Sequence, residues 1–186
     1  MRRKLVPAAV VALAAAVVVL LVYGLTKQGT SRALDAAVQA GRVPAAPLAT
    51  RALPVLDGVG GADASLARWR GRVIVVNFWA SWCSTCIDET PLIEQAQRAL
   101  TRSGAGTVVG IDYKDVSTDA RSFAARYGLS YPSLRDIDGS FAAAYGTAAL
   151  PETFVLDRRL RIVAISRGEI PSEARLASWI ARAERA

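Results

Sequence analysis

Cys83 and Cys86 are the only cysteines in the 186-residue chain, three positions apart within Trp82-Cys83-Ser84-Thr85-Cys86. Two thiols at this spacing can close a structural disulfide, supply half of a metal site, or cycle between dithiol and disulfide. A staple around so short a loop constrains little chain entropy, because that gain grows with loop length. A four-thiolate zinc site needs a second pair of ligands, and the chain has no further cysteine and no histidine. The missing histidine also removes Ser-His-Asp and Cys-His nucleophilic catalysis, HExxH zinc chemistry and c-type haem attachment. Redox exchange is the chemistry this spacing serves best. Cu(I) binding or delivery by the same two thiols is the alternative from another class, weakened by the lack of histidine or methionine nearby.

The surrounding pattern says how the pair is held. Residues 73–80 form a continuous β-branched and aromatic run, the composition of a strand buried on both faces. From Cys83 to 103 the period becomes helical, with Ile87, Leu92, Ile93, Ala96 and Leu100 at three- and four-residue spacing, and Pro91 is expected to kink that helix. Cys83 therefore sits at or near a helix N-cap, where unpaired amides and the helix dipole stabilise a thiolate. This makes Cys83 the exposed nucleophile and Cys86, one turn later and more buried, the resolving thiol; the reverse assignment is the alternative.

The remaining elements follow from the same signals. Residues 64–69 read as a short helix with Asp63 or Ser65 as N-cap, 107–113 as a second buried strand, and 118–127 as an amphipathic helix stopped by Gly128. A loop through Pro132 and the 136–139 turn leads to a short helix over 140–145. A hairpin pairs 152–156 with 160–166, and a helix over 172–183 starts at Ser172. A βαβ unit, then helices, then a hairpin and a closing helix predict an α/β domain with a mixed central sheet flanked by helices, the thioredoxin-like arrangement.

The N-terminus sets the expected compartment. Residues 5–25 carry no charged side chain, and 21 residues at ~1.5 Å each span roughly the hydrocarbon core of a bilayer. Arg2, Arg3 and Lys4 precede the run and only Lys27 follows closely, which leaves residues 1–4 in the cytoplasm and the rest outside it. A cleaved signal peptide is the alternative, but the run is long for one and lacks a clean Ala-x-Ala site. The expected organisation is a cytoplasmic N-terminus (1–4), a single-pass anchor in the inner membrane (5–25), a linker (26–47) and one domain (48–186). Formal net charge is +7, but without the four anchor-flanking cations 19 Lys+Arg face 16 Asp+Glu. No basic run interleaved with aromatics appears, so no nucleic-acid partner is expected.

The 76–86 segment, Val-Asn-Phe-Trp-Ala-Ser-Trp-Cys-Ser-Thr-Cys, resembles the active-site signature of thioredoxin-like proteins. Gly110-Ile111-Asp112-Tyr113-Lys114-Asp115, Pro151-Glu152-Thr153-Phe154 and Arg167-Gly168-Glu169 narrow the likeness to the membrane-anchored TlpA/CcmG (DsbE) group of cytochrome c maturation thioredoxins. That resemblance implies a redox-active Cys83–Cys86 disulfide and a cis peptide at Pro151 beside it. Leu150 would then offer its backbone N–H and C=O to a substrate strand. It implies a proton-transfer role for Glu89 in a CxxCxxE arrangement, with Glu152 a second acid at the site and Trp82 an exposed rim residue. Asn77 stands where many thioredoxins have a buried acid, which increases the dependence on Glu89 or Glu152. The group's function implies a dithiol reductant for apocytochrome c or a relay thiol protein. A membrane electron donor would re-reduce it, and neither cofactor nor metal is involved. A general reductant or oxidant of exported proteins is the alternative within the class. Ser84-Thr85 between the cysteines and Thr147-Ala148-Ala149 before Leu150 depart from the group's usual residues, which bears on redox potential and substrate preference.

Overall fold

The computed structural model describes residues 13–20, 33–57 and 62–186. Helix α1 covers residues 33–39, and β1 (Leu53–Pro54) pairs antiparallel with β2 (Asp63–Ala64). A 3-10 turn (Leu66–Trp69) leads into β3 (Val73–Trp79), followed by α2 (Ser84–Ser103), β4 (Gly106–Tyr113) and α3 (Ser117–Tyr127). Then come β5 (Ser133–Asp136), α4 (Ser140–Tyr145), β6 (Glu152–Leu156), β7 (Ile162–Arg167) and α5 (Glu173–Arg185). The main sheet runs β5-β4-β3-β6-β7, with β5, β4 and β3 parallel and β6 and β7 antiparallel to their neighbours.

Strand β3 lies at the centre, and all seven of its residues are buried. Its alternation serves two cores at once. Ile74, Val76 and Phe78 face the layer of α4 and the 3-10 turn, where Phe78, Phe141, Tyr145 and Phe154 form an aromatic cluster with centroids 4.9–6.3 Å apart. Val73 and Val75 face α2 and α5, packing on Ile93, Leu100, Leu176 and Ala183. Asn77 and Trp79 follow on that second face, so the strand carries a polar side chain under the start of α2.

Several expectations change. The segment expected as a loop through Pro132 contains strand β5, only four residues, Ser-Leu-Arg-Asp, paired with β4 and bridged from Leu134 to Val55. Helix α2 is one element from Ser84 to Ser103 with Pro91 inside it, as the sequence places it. The short helix at 64–69 is a 3-10 turn from Leu66; Ser65 is its N-cap by position but makes no side-chain cap bond, and Asp63 is paired in β2 instead. Ser172 does cap α5, its hydroxyl accepting from the Arg175 N–H at 3.2 Å.

Part of the stretch expected as a linker is packed onto the domain. Leu34 and Val38, one α-helical turn apart, lie against the main core. Pro44 accepts from the Ile162 N–H, and the Ala46 N–H donates to Leu160. Of the expected span at 5–25, only residues 13–20 are described, as a helix with exposed side chains. Among the described residues no helix is long and apolar enough to cross a membrane; the rest of that span, like residues 1–4, lies outside them.

Candidate active site

The Cys83–Cys86 pair forms at the C-terminal edge of the sheet. After β3 the chain turns at Ala80, whose carbonyl accepts from the Cys83 N–H at 3.1 Å. Cys83 is the N-cap of α2, with extended backbone, and its Sγ accepts from the Cys86 N–H at 3.2 Å. The two sulfurs are joined at 2.07 Å. A sulfur in the N-cap position faces unpaired helix amides, the arrangement that favours a thiolate once the bond is reduced. Exposure does not distinguish the two cysteines: Cys83 is 5% exposed and Cys86 4%. The expected contrast between an open and a covered sulfur is thus absent in the disulfide form, where both pack into a cluster with Trp79, Ala80 and Phe123. What separates them is the helix position and a second polar contact, Thr85 Oγ1 at 3.5 Å from Cys83 Sγ.

Glu89 is buried one turn below Cys86. One carboxyl oxygen accepts from the Ile170 N–H at 2.7 Å, the other from Asn77 Nδ2 at 2.9 Å. Asn77 also donates to Thr153 Oγ1 across the β3–β6 register at 3.0 Å. Burial pushes the Glu89 carboxyl above its ordinary value, and the two hydrogen bonds only partly oppose this. The residues can therefore hold a proton beside the disulfide, with Asn77 orienting the carboxyl that carries it.

The Leu150–Pro151 peptide is cis, and Leu150 packs on the cysteine cluster. The Leu150 carbonyl accepts from Thr85 Oγ1 at 3.4 Å, so one hydroxyl bridges the Cys83 sulfur and the proline loop. Trp82, 60% exposed, meets Tyr113 edge-on at 6.4 Å. These two residues and Thr147, Ala148, Ala149 and Leu150 line a cleft of about 280 Å³. Its side chains carry no charge.

Glu152 is also buried, but both its oxygens are engaged. Oε2 pairs with Arg167, and Oε1 accepts from the Ala148 N–H at 3.2 Å. Arg167 further donates to the Tyr145 carbonyl, pairs with Asp35 of α1 at 3.1 Å and lies over the Phe154 ring. Glu152 thus ties the cleft loop to the sheet and, through Arg167, to the N-terminal helix. Arg167→Ala should strand this carboxylate and cost about 2–4 kcal/mol in chemical denaturation, less than a fully buried pair because Arg167 is partly exposed. Adding Glu152→Gln in the same chain should recover part of the loss.

The sequence does not show the contacts of Thr85 and Arg167 or the clamp that Asp115 places on Ser81, whose N–H and hydroxyl both donate to its carboxylate. Thr85 is marked by its place between the cysteines; Arg167 and Asp115 are joined to the site only by the fold. Among the described residues no three His, Cys, Asp or Glu side chains group as a metal-binding set.

Comparison with known proteins agrees with this geometry. The chain is 28% identical over 119 residues to the thiol-disulfide oxidoreductase ResA of Geobacillus thermodenitrificans, covering 64% of this chain and 68% of that protein. It superposes on a secreted thiol-disulfide isomerase from Corynebacterium glutamicum with a TM-score of 0.67 at 25% identity, over 78% of this chain and 86% of that one. A DsbF homologue from Corynebacterium diphtheriae gives a TM-score of 0.62 at 28% identity, over 70% and 82%. The Redoxin family model matches residues 36–180, so the chain belongs to the Redoxin family and is a thiol–disulfide oxidoreductase of the thioredoxin-like fold.

Proposed function

We propose that the protein is a dithiol reductant tethered to the outer face of the cytoplasmic membrane by residues 5–25, acting on apocytochrome c or on a thiol protein that relays to it. The observation that carries the reading is the Cys83 sulfur capping α2 with a buried Glu89, its proton affinity raised by burial, one turn beneath Cys86. In the reduced protein the Cys83 thiolate attacks a substrate disulfide, forming a Cys83–substrate S–S bond and expelling one substrate thiolate. The Glu89 carboxylate takes the Cys86 proton and becomes the neutral acid; the Cys86 thiolate then attacks Cys83 Sγ, closes the Cys83–Cys86 bond and releases the second substrate thiolate. The substrate gains two electrons and the protein loses two, so a membrane electron donor must return them. Leu150 offers backbone groups to the substrate strand and Trp82 an apolar wall.

Support for the direction of transfer comes from the likeness of 110–115, 151–154 and 167–169 to the cytochrome c maturation group. The uncharged cleft suits a partner recognised mainly through its backbone. Equilibration with glutathione tests the direction: the reductant reading requires a potential well below the ~ −120 mV of a strong oxidant. A value at that oxidising end would favour an oxidant of exported proteins. Reduced protein should also reduce the disulfide of a synthetic CxxCH peptide stoichiometrically, and failure to do so would remove apocytochrome c as the substrate.

A further inference from the structure

The β4–α3 loop holds a second acidic device beside the cysteines. Asp112, near the end of β4, is fully buried; it stands opposite Trp79 on β3 and Arg135 on β5. Its Oδ2 accepts from Arg135 Nε at 3.3 Å, while Oδ1 is buried with no hydrogen-bond partner. Arg135 gives its Nη2 to the backbone carbonyl of Asp115 at 2.8 Å, not to the Asp115 carboxylate. That carboxylate accepts from the Ser81 N–H and hydroxyl and from the Val116 N–H at 2.7 Å, and lies within hydrogen-bonding reach of Asp112. Asp136 of β5 accepts from the Phe141 and Ala142 N–H groups, Asp119 of α3 accepts from the Thr118 hydroxyl, and Arg126 lies over the Tyr127 ring. Arg121 of α3 donates to the Leu56 carbonyl, and Lys114 lies over the Tyr113 ring.

Two neighbouring carboxyls, only one of them paired with a guanidinium, cannot both be ionised cheaply. Asp115 accepts on both oxygens, so the proton belongs on Asp112, where it gives the orphaned oxygen its only available role, an O–H donated to Asp115. We infer that Asp112 holds a proton and donates it as a hydrogen bond to the Asp115 side chain, and that Asp112 is a positioning residue whose protonation holds the Ser81 clamp and with it the Ser81-Trp82 turn that presents Cys83. Burial first, and the neighbouring Asp115 charge second, raise the Asp112 carboxyl to about 7, against the pull of Arg135. Asp112 therefore changes charge near neutrality. Loss of the proton sets two carboxylates against each other and adds negative charge beside the turn, which opposes formation of the Cys83 thiolate.

The inference rests on the redox reading only for its consequence, since the proton can be observed in the disulfide form where no thiol titrates. The test is ¹³C NMR of aspartate carboxyl carbons in the oxidised full chain across pH. One resonance should titrate near neutrality and disappear in Asp112→Asn, whose amide donates to Asp115 at every pH. Asp115→Asn removes the neighbouring charge and should move that titration to lower pH, which identifies the group even if the first variant fails to fold. In reduced protein, the pH profile of Cys83 alkylation should lose its near-neutral inflection in Asp112→Asn while reactivity below it is retained. An oxidised protein in which every aspartate carboxyl titrates in the ordinary acid range would overturn the inference. So would an alkylation profile left unchanged by Asp112→Asn.

Discussion

Cys83→Ala is expected to reduce disulfide reduction to the uncatalysed rate while leaving the fold in place. The disulfide closes only the first turn of α2, whereas the sheet draws its stability from the two cores on either side of β3. A cross-link around so short a loop contributes little by chain entropy, so the thermal transition should move by a few degrees at most. A structural staple would behave in the opposite way, losing stability and leaving activity intact. Insulin-disulfide reduction and circular dichroism on the same preparation distinguish the two.

Glu89 carries the second large effect, and two substitutions divide it. Glu89→Ala leaves the Ile170 N–H without an acceptor and costs Asn77 one of its two, both in a buried setting. Unpaired buried donors of this kind cost roughly 2–4 kcal/mol together. Glu89→Gln should cost much less. Its carbonyl still accepts from Ile170, and Asn77 can flip its amide to accept from the new NH₂, with the Thr153 hydroxyl reversing to donate. The glutamine cannot take a proton, however. The rate of the step that consumes Cys86 should therefore fall by about 10²-fold, the lower end of what general acid–base catalysis supplies.

The pH dependence of stability gives an independent reading of the same residue. Burial raises the folded-state value of Glu89 above its ordinary 4.5. Between 4.5 and that raised value the native protein binds more protons than the unfolded chain, so stability falls as pH rises through this window. Below 4.5 the contribution is fully present. Glu89→Gln should flatten this part of the profile; what slope persists belongs to Asp112 and Asp136, whose carboxyls burial also raises. A slope identical to that of the parent protein would contradict the placement of Glu89's proton.

The sheet's centre was legible because its signals are local. The run from Val73 to Phe78 can be satisfied only by burial on both faces, and the spacing of Ile93, Ala96 and Leu100 gives α2 one apolar face. The N-cap position of Cys83 follows from where those two patterns meet. Strand β5 was not legible, since its four residues mix polar and apolar and owe their extension to β4 alongside. Glu89 could be read from its spacing to Cys86 but not its burial, which depends on Asn77 and on Ile170, 81 residues away. Pro151 entered through family resemblance, because an X–Pro bond's isomer is decided by tertiary context rather than by neighbours in sequence. Arg167 reads locally as the end of an exposed hairpin; only the fold brings Asp35, Glu152 and the Tyr145 carbonyl around it. Asp112 is concealed for a like reason, since nothing in Gly110-Ile111-Asp112 announces that Asp115 and Arg135 close over it.

The division of labour between the two sulfurs is the centre of the account, and trapping measures it directly. Reduced Cys86→Ala and Cys83→Ala full-length proteins would each be incubated with a disulfide-bonded CxxCH peptide, quenched by alkylation, and mapped by mass spectrometry. The account predicts a persistent mixed disulfide at Cys83 in Cys86→Ala and little or none in Cys83→Ala, because only Cys83 caps α2 and receives the Cys86 amide. A stable adduct at Cys86 in Cys83→Ala, with none at Cys83 in its counterpart, would reverse the assignment and contradict the mechanism.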